Sequence, residues 1–163
     1  MKKTLGIAMI ILVALGISVL SLAAPATQTV TVRIPDVSMI TLSANNMLIA
    51  FDPIDQWTSD SATEKSDSFD IITRHNGTLD PDVTVSSTDL TNGSANLDRS
   101  QFKVFVKPAD ASTEQSGSLD NTVTVQNVGK GRKTASAYYQ LTLGADQQSG
   151  EYTGTVTYTL VNQ

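Results

Sequence analysis

The sequence contains no cysteine, a single histidine and a single tryptophan. Without cysteine there is no disulfide, no lipid-attachment thiol and no thiolate metal ligand. With one imidazole, the usual zinc ligand sets are out of reach. A Ser-His-Asp site needs a histidine held between nucleophile and acid. His75 instead stands just before Asn76-Gly77 and reads as an exposed turn residue, and no G-x-S-x-G elbow accompanies it. HExxH, P-loop and GxGxxG patterns are absent as well. Basic residues are few, 11 against 16 acidic ones. An acidic surface disfavours nucleic acid and anionic membranes as partners. The one basic cluster, Lys130, Arg132 and Lys133 around Gly129 and Gly131, reads as a solvated hairpin tip. Strong helix formers are thin, no internal repeat is present, and outside the N-terminal leader no stretch keeps a helical period. These absences leave no catalytic constellation and no expected cofactor, and the chain is not read as an enzyme.

The N-terminal stretch has the layout of an export signal. Lys2 and Lys3 open it, Leu5–Leu22 is apolar or small, and Ala24-Pro25-Ala26 offers an A-x-A cleavage site. Cleavage is expected after Ala26, with Ala23 and Ala24 as alternatives. The rival reading is an uncleaved anchor, since about 18 apolar residues is the lower limit for spanning a bilayer. Any membrane contact is expected only through this leader before cleavage. Removing residues 1–26 takes away two basic and no acidic residues, leaving nine against sixteen and a net charge of −7. The remainder, 27–163, is the size of one domain.

That remainder is rich in Ser, Thr, Asn, Asp and Gly, a composition of strands joined by polar turns. Gly150–Val161, GEYTGTVTYTLV, alternates strictly. Tyr152, Gly154, Val156, Tyr158 and Leu160 share one face, and four threonines share the other, as in a half-buried strand. Thr134–Leu143 alternates through Ala135, Ala137, Tyr139, Leu141 and Leu143. Gly144–Gly150 between the two predicts that they pair as a hairpin. Further strands are expected over Thr27–Ile34, Val37–Leu42 (Val37, Met39 and Thr41 on one side), Met47–Phe51 (Met47, Ile49 and Phe51 inward), Phe69–Arg74, Asp82–Ser86, Phe102–Lys107 and Leu119–Gln126. Asp52–Ser68 reads as a long surface loop around Trp57, and Ala109–Ser118 as a polar loop. Eight or nine short strands with frequent turn signals predict an all-β, immunoglobulin-like antiparallel sandwich.

The closing pattern Y-T-G-T-V-T-Y-T-L resembles the last strand of WxL-type surface domains of Gram-positive bacteria. More broadly, it is similar to closing strands of fimbrial and pilus-like β-sandwich proteins. Tyr158, Thr159 and Leu160 occupy the positions of the family's terminal Trp-x-Leu, with tyrosine in place of tryptophan. Upstream, Trp57 is followed by Thr58 and Ser59, so no second Trp-x-Leu occurs. The resemblance covers about a dozen residues and implies a cell-surface β-sandwich; cell-wall binding is not carried over.

Two functions from different classes follow. The first is a structural subunit of a fimbria, pilus or surface matrix, exported to the cell surface, the extracellular space or the periplasm. Its partners would be further copies of itself or other surface subunits, joined by strand addition. Thr27–Ile34 is the candidate donor: Val30, Val32 and Ile34 alternate, and Pro35 separates the segment from the body. The apolar face of the closing strand, Tyr152, Val156, Tyr158 and Leu160, completes the assembly set. The competing assignment makes Thr27–Ile34 the first strand of its own sandwich. The second function is a monomeric binding module in which Trp57, Asp52, Asp55 and Asp60 hold a glycan, calcium or protein ligand. Calcium needs several oxygen ligands; Asp80 and Asp82 flanking Pro81 form another acidic pair, but neither cluster has D-x-D-x-D-G spacing. Asn76-Gly77-Thr78 and Asn92-Gly93-Ser94 match the glycosylation sequon. Tyr138, opposite in face to Tyr139, is a candidate for a small sugar-binding patch.

Overall fold

A computed structural model describes residues 29–51, 61–126 and 128–162. By compactness the chain divides into Met1–Arg33 and Ile34–Gln163. Of the first unit, residues 29–33 are described; they are exposed and belong to no strand.

The second unit is an antiparallel β-sandwich. Among the described residues nine strands follow in order: β1 (Ser38–Leu42), β2 (Ser61–Lys65), β3 (Phe69–His75), β4 (Asp82–Ser87), β5 (Phe102–Lys107), β6 (Gln115–Ser118), β7 (Val123–Val125), β8 (Gly131–Gly144) and β9 (Val156–Val161). The larger sheet runs β1-β3-β8-β5-β6, with β2 also paired to β8; the smaller runs β7-β4-β9. Strand β8 is the spine. Its first half pairs with β3 and its second with β2, while β5 takes the other edge. Between β2 and β3 the register moves by one, from Lys65 opposite Gln140 to Phe69 opposite Ala137. This is the signature of a bulge. Ser66 sits in it: its N–H donates to the Tyr139 carbonyl and its hydroxyl accepts from the Tyr139 N–H, both at 3.0 Å.

One core lies between the sheets, from Phe69, Ile71, Val104, Val106 and Ala137 on one side to Val83, Val85, Val125 and Tyr158 on the other. Tyr139 stands at its centre. Phe69 and Phe102 lie 5.2 and 5.3 Å from its ring centroid, and its hydroxyl meets that of Tyr158 at 2.9 Å. That bond satisfies two polar atoms that burial would otherwise leave unpaired.

The alternation of β8 and β9 and the strands expected at β3 and β5 are borne out, and five other expectations are corrected. β8 and β9 do not form a hairpin. Both edges of β8 are occupied, so β9 crosses to the other sheet and pairs with β4. In β1 the half-buried residues are Ile40 and Leu42, while Val37 and Met39 are exposed. The segment VSMITL is apolar on both alternating faces, and its ladder with β3 chooses between them. Residues 61–65 form a strand although only Ala62 of the five is fully buried. Within the polar 109–118 stretch, Gln115–Ser118 is an edge strand. Met47, Ile49 and Phe51 do face the core, yet their segment belongs to no ladder.

Candidate functional site

The sandwich has two sides along which its sheets could be open, and they are built differently. On one side run the edge strands β6 and β7. The Gln115 side chain brackets Gln126 there, accepting from its N–H at 3.0 Å and donating to its carbonyl at 3.2 Å. It thereby caps backbone groups that an edge strand would offer to a partner. Gly117 packs so closely that a Cβ would come within 2.7 Å of Val123. That side is sealed.

On the other side run β1 and β9. The two approach at one end, where the Ser38 hydroxyl donates to Asn162 Oδ1 at 3.2 Å. Further along, Ile40 and Leu42 of β1 and Val156 and Leu160 of β9 pack against the core yet stay only partly buried. Tyr152, just before β9, is also partly buried; its hydroxyl accepts from Gln147 Nε2 and donates to the Gln148 carbonyl, both at 2.9 Å. Tyr158, by contrast, lies inside the core. Its phenol pKa is raised by burial first and by the neighbouring Tyr139 hydroxyl second. Of the closing-strand residues expected to serve assembly, the structure therefore groups Val156 and Leu160 at the open side and commits the Tyr158 side chain to the interior.

Asn76 governs how the chain enters β1. Its Oδ1 accepts from the Val37 N–H at 2.6 Å, its Nδ2 donates to the Pro35 carbonyl at 2.9 Å, and its own N–H donates to the Val37 carbonyl at 3.2 Å. The sequence marked Asn76 as a turn residue; nothing in a local pattern could assign it a partner some 40 positions earlier. Asn76→Ala is expected to lower stability by about 1 kcal/mol, two partly exposed hydrogen bonds lost, read from the denaturation midpoint. Just before it, Val30, Val32 and Ile34 are 73, 76 and 75% exposed. These exposures set the segment apart, because the other strictly alternating apolar segments put that face into the core.

His75 is not an exposed turn residue. It continues the inward alternation of Phe69, Ile71 and Thr73 and is 6% exposed. Its Nε2 lies 3.2 Å from the Leu79 carbonyl, while Nδ1 and the buried Thr73 hydroxyl have no partner among the described residues. Gly77 follows because a Cβ there would run into the imidazole, not because its backbone is left-handed; that role falls to Gly93, with φ 86°. The basic cluster is not a hairpin tip either. It links β7 to β8 across the two sheets, with Lys130 bonded to the Thr78 carbonyl and Lys133 to Asp110.

Trp57, Asp52, Asp55 and Asp60 lie outside the described residues. Among the described residues no three His, Cys, Asp or Glu side chains converge as a metal site would require, and no helix is long and apolar enough to cross a membrane. Tyr138 stands on the outer face, but its ring is occupied. Phe105 stacks on it at 4.9 Å with an interplanar angle of 1°, and Lys65 Nζ lies 4.9 Å from its centroid. β5 and β2 flank β8 on opposite edges, so these two neighbours bracket the ring where a sugar would stack. The Tyr138 hydroxyl donates to Glu114 at 3.2 Å. Partial burial and then this carboxylate hold its pKa up.

Comparison of the chain with protein-family models, with curated proteins and with solved structures gives no match. The class of the protein, an all-β sandwich of two antiparallel sheets, rests on its own strand pairing.

Proposed function

We propose that this is an exported structural protein of the cell surface whose copies assemble by strand addition, Thr27–Ile34 of one subunit completing a sheet of the next. One observation carries the reading: Val30, Val32 and Ile34 alternate as a buried strand face would, yet each is about three-quarters exposed and residues 29–37 belong to no strand. An apolar face of that kind left in water is unfavourable by about 25 cal/mol per Å², and a sheet edge is the surface that fits it. The fimbria-, pilus- or matrix-like role, the export and the use of self or sister subunits as partners belong to this same reading, which assigns the protein no reaction and no cofactor. The binding-module alternative, with glycan, calcium or a protein on the loop around Trp57, has no observation in its favour among the described residues.

Two chains test the proposal by size-exclusion chromatography and negative-stain microscopy, one beginning at Thr27 and one at Asp36. Assembly of the longer with the shorter remaining a folded monomer is the expected result. A stable monomer from the longer chain, with unfolding of the shorter, would make Thr27–Ile34 an ordinary strand of its own sandwich.

A further inference from the structure

We infer that the acceptor is the free edge of β9, on the open β1–β9 side, and that its occupant is the Thr29–Ile34 segment of a second copy of this chain. The inference rests on the strand-addition reading and adds the site and the source of the strand.

Among the described residues the backbone leaves two free edges on this side, those of β1 and β9, and the smaller size of its sheet favours β9. The Thr88 N–H donates to the Thr155 carbonyl at 2.9 Å. In an antiparallel ladder bonded pairs recur every second residue. Those between β4 and β9 therefore fall at Ser86–Thr157, Thr84–Thr159 and Asp82–Val161. The N–H and C=O groups of Val156, Tyr158 and Leu160 then point the other way. No described residue bonds to them. The side chains of these same residues face the core, and Val156 and Leu160 are left only partly covered. An added strand here would meet an unpaired backbone and an incompletely covered apolar rim together. It would also extend the smaller sheet, which has three strands against six. The edges of β6 and β7 lack this combination, since Gln115 and the close packing of Gly117 close that side.

The occupant matches in kind. Thr29–Ile34 offers Val30, Val32 and Ile34 to the rim and Thr29, Thr31 and Arg33 to solvent, the same division that β9 shows between its two faces. The exposure argues for a second copy: Val30, Val32 and Ile34 are 73, 76 and 75% exposed in their own chain, and Asn76 holds the Pro35 carbonyl and the Val37 N–H on the β3 side of β1.

Because the protein has no cysteine, disulfide trapping reads the contact directly. Adjacent strands lie about 4.8 Å apart, within reach of a disulfide whose Cα atoms are about 4.4–6.8 Å apart. Full chains carrying Thr31→Cys would be mixed with chains carrying Thr157→Cys, Thr159→Cys, Thr41→Cys, Ser116→Cys or Thr124→Cys, which report on β9, β9, β1, β6 and β7 in turn. Thr31 is exposed, and the positions in β1, β6, β7 and β9 lie on the exposed faces of their strands. Under mild oxidation, heterodimer bands with Thr157→Cys or Thr159→Cys, and none with the other three, are expected. Bands confined to Thr41, Ser116 or Thr124 would overturn the assignment to β9 while strand addition stands. A chain carrying both Thr31→Cys and Thr159→Cys is expected to give a covalent ladder of multimers; a cross-linked monomer would overturn the second copy as occupant. Monomers throughout, with no cross-link at any edge, would remove the strand-addition reading and this inference with it.

Discussion

Replacing Tyr139 by alanine is expected to lower the stability of the sandwich by about 3–5 kcal/mol, the range for truncating a buried aromatic. Domains of this size are stable by roughly 5–15 kcal/mol, so the variant should approach unfolding at ambient temperature. Three losses combine. The ring vacates the space between Phe69 and Phe102. The Tyr158 hydroxyl loses its partner inside the core. The bulge at Ser66, whose two bonds go to the Tyr139 backbone, loses the packing beneath it. Tyr139→Phe separates these, because it keeps the packing and removes only the hydroxyl pair; a loss of about 1–2 kcal/mol is expected. Urea denaturation followed by circular dichroism checks both. Alkaline titration checks the pair independently. Burial raises the pKa of both phenols, so the neutral forms belong to the folded state. The stability they contribute is present below the unfolded tyrosine value of about 10 and falls as pH rises above it. Tyrosinate absorbance from this pair should therefore appear together with unfolding and not before it.

The opposite pattern is expected for Val32→Asp. Val32 is 76% exposed, so the change should leave the denaturation midpoint of the monomer within about 0.5 kcal/mol of the original. Assembly should nevertheless fail. In an added strand Val32 occupies the middle of the apolar face, and burying a carboxylate there without a partner costs several kcal/mol. At about 1.4 kcal/mol per tenfold, the association constant should drop by at least a hundredfold. Light scattering and sedimentation of the assembled form would show it. Thr31→Asp, on the polar face of the same segment, should assemble nearly as well as the original chain. If Val32→Asp assembles normally, the segment is not a donor. If it unfolds the monomer, Val32 belongs to the subunit's own core.

The contrast between Tyr139 and Val32 also marks what a sequence can carry. Both sit in clean period-2 patterns, and from pattern alone both read as buried strand residues. Period decides that a strand has an apolar face; it does not decide what covers that face. Tyr139 was legible because Ala135, Ala137, Leu141 and Leu143 repeat the signal around it in the longest strand of the fold. The β2 strand was not legible, since SATEK holds one small apolar residue and is kept in place by β8 running on past the end of β3. His75 was misread for a related reason. Its alternation with Thr73 and Ile71 was present in the sequence, but a polar residue next to Asn-Gly suggests a turn until the ladder with β8 shows β3 running through it. The candidate site was legible only in part. The donor-like alternation of Val30, Val32 and Ile34 is plain in the chain, whereas the clamp at Asn76 and the seal at Gln115 join residues far apart in it.

The sequence by itself determined the class of this protein: strands of alternating polarity joined by turns built on Asn, Gly and Pro. Those are local properties, set by backbone sterics and by the two-residue period of an extended chain. Tertiary structure alone decided which edges were left over. Strand β8 has two edges, and β2, β3 and β5 fill them, so the last strand pairs in the smaller sheet and, among the described residues, keeps one side unpaired. Hydrogen bonding between strands saturates in this way, and which edge remains open depends on every other pairing in the fold.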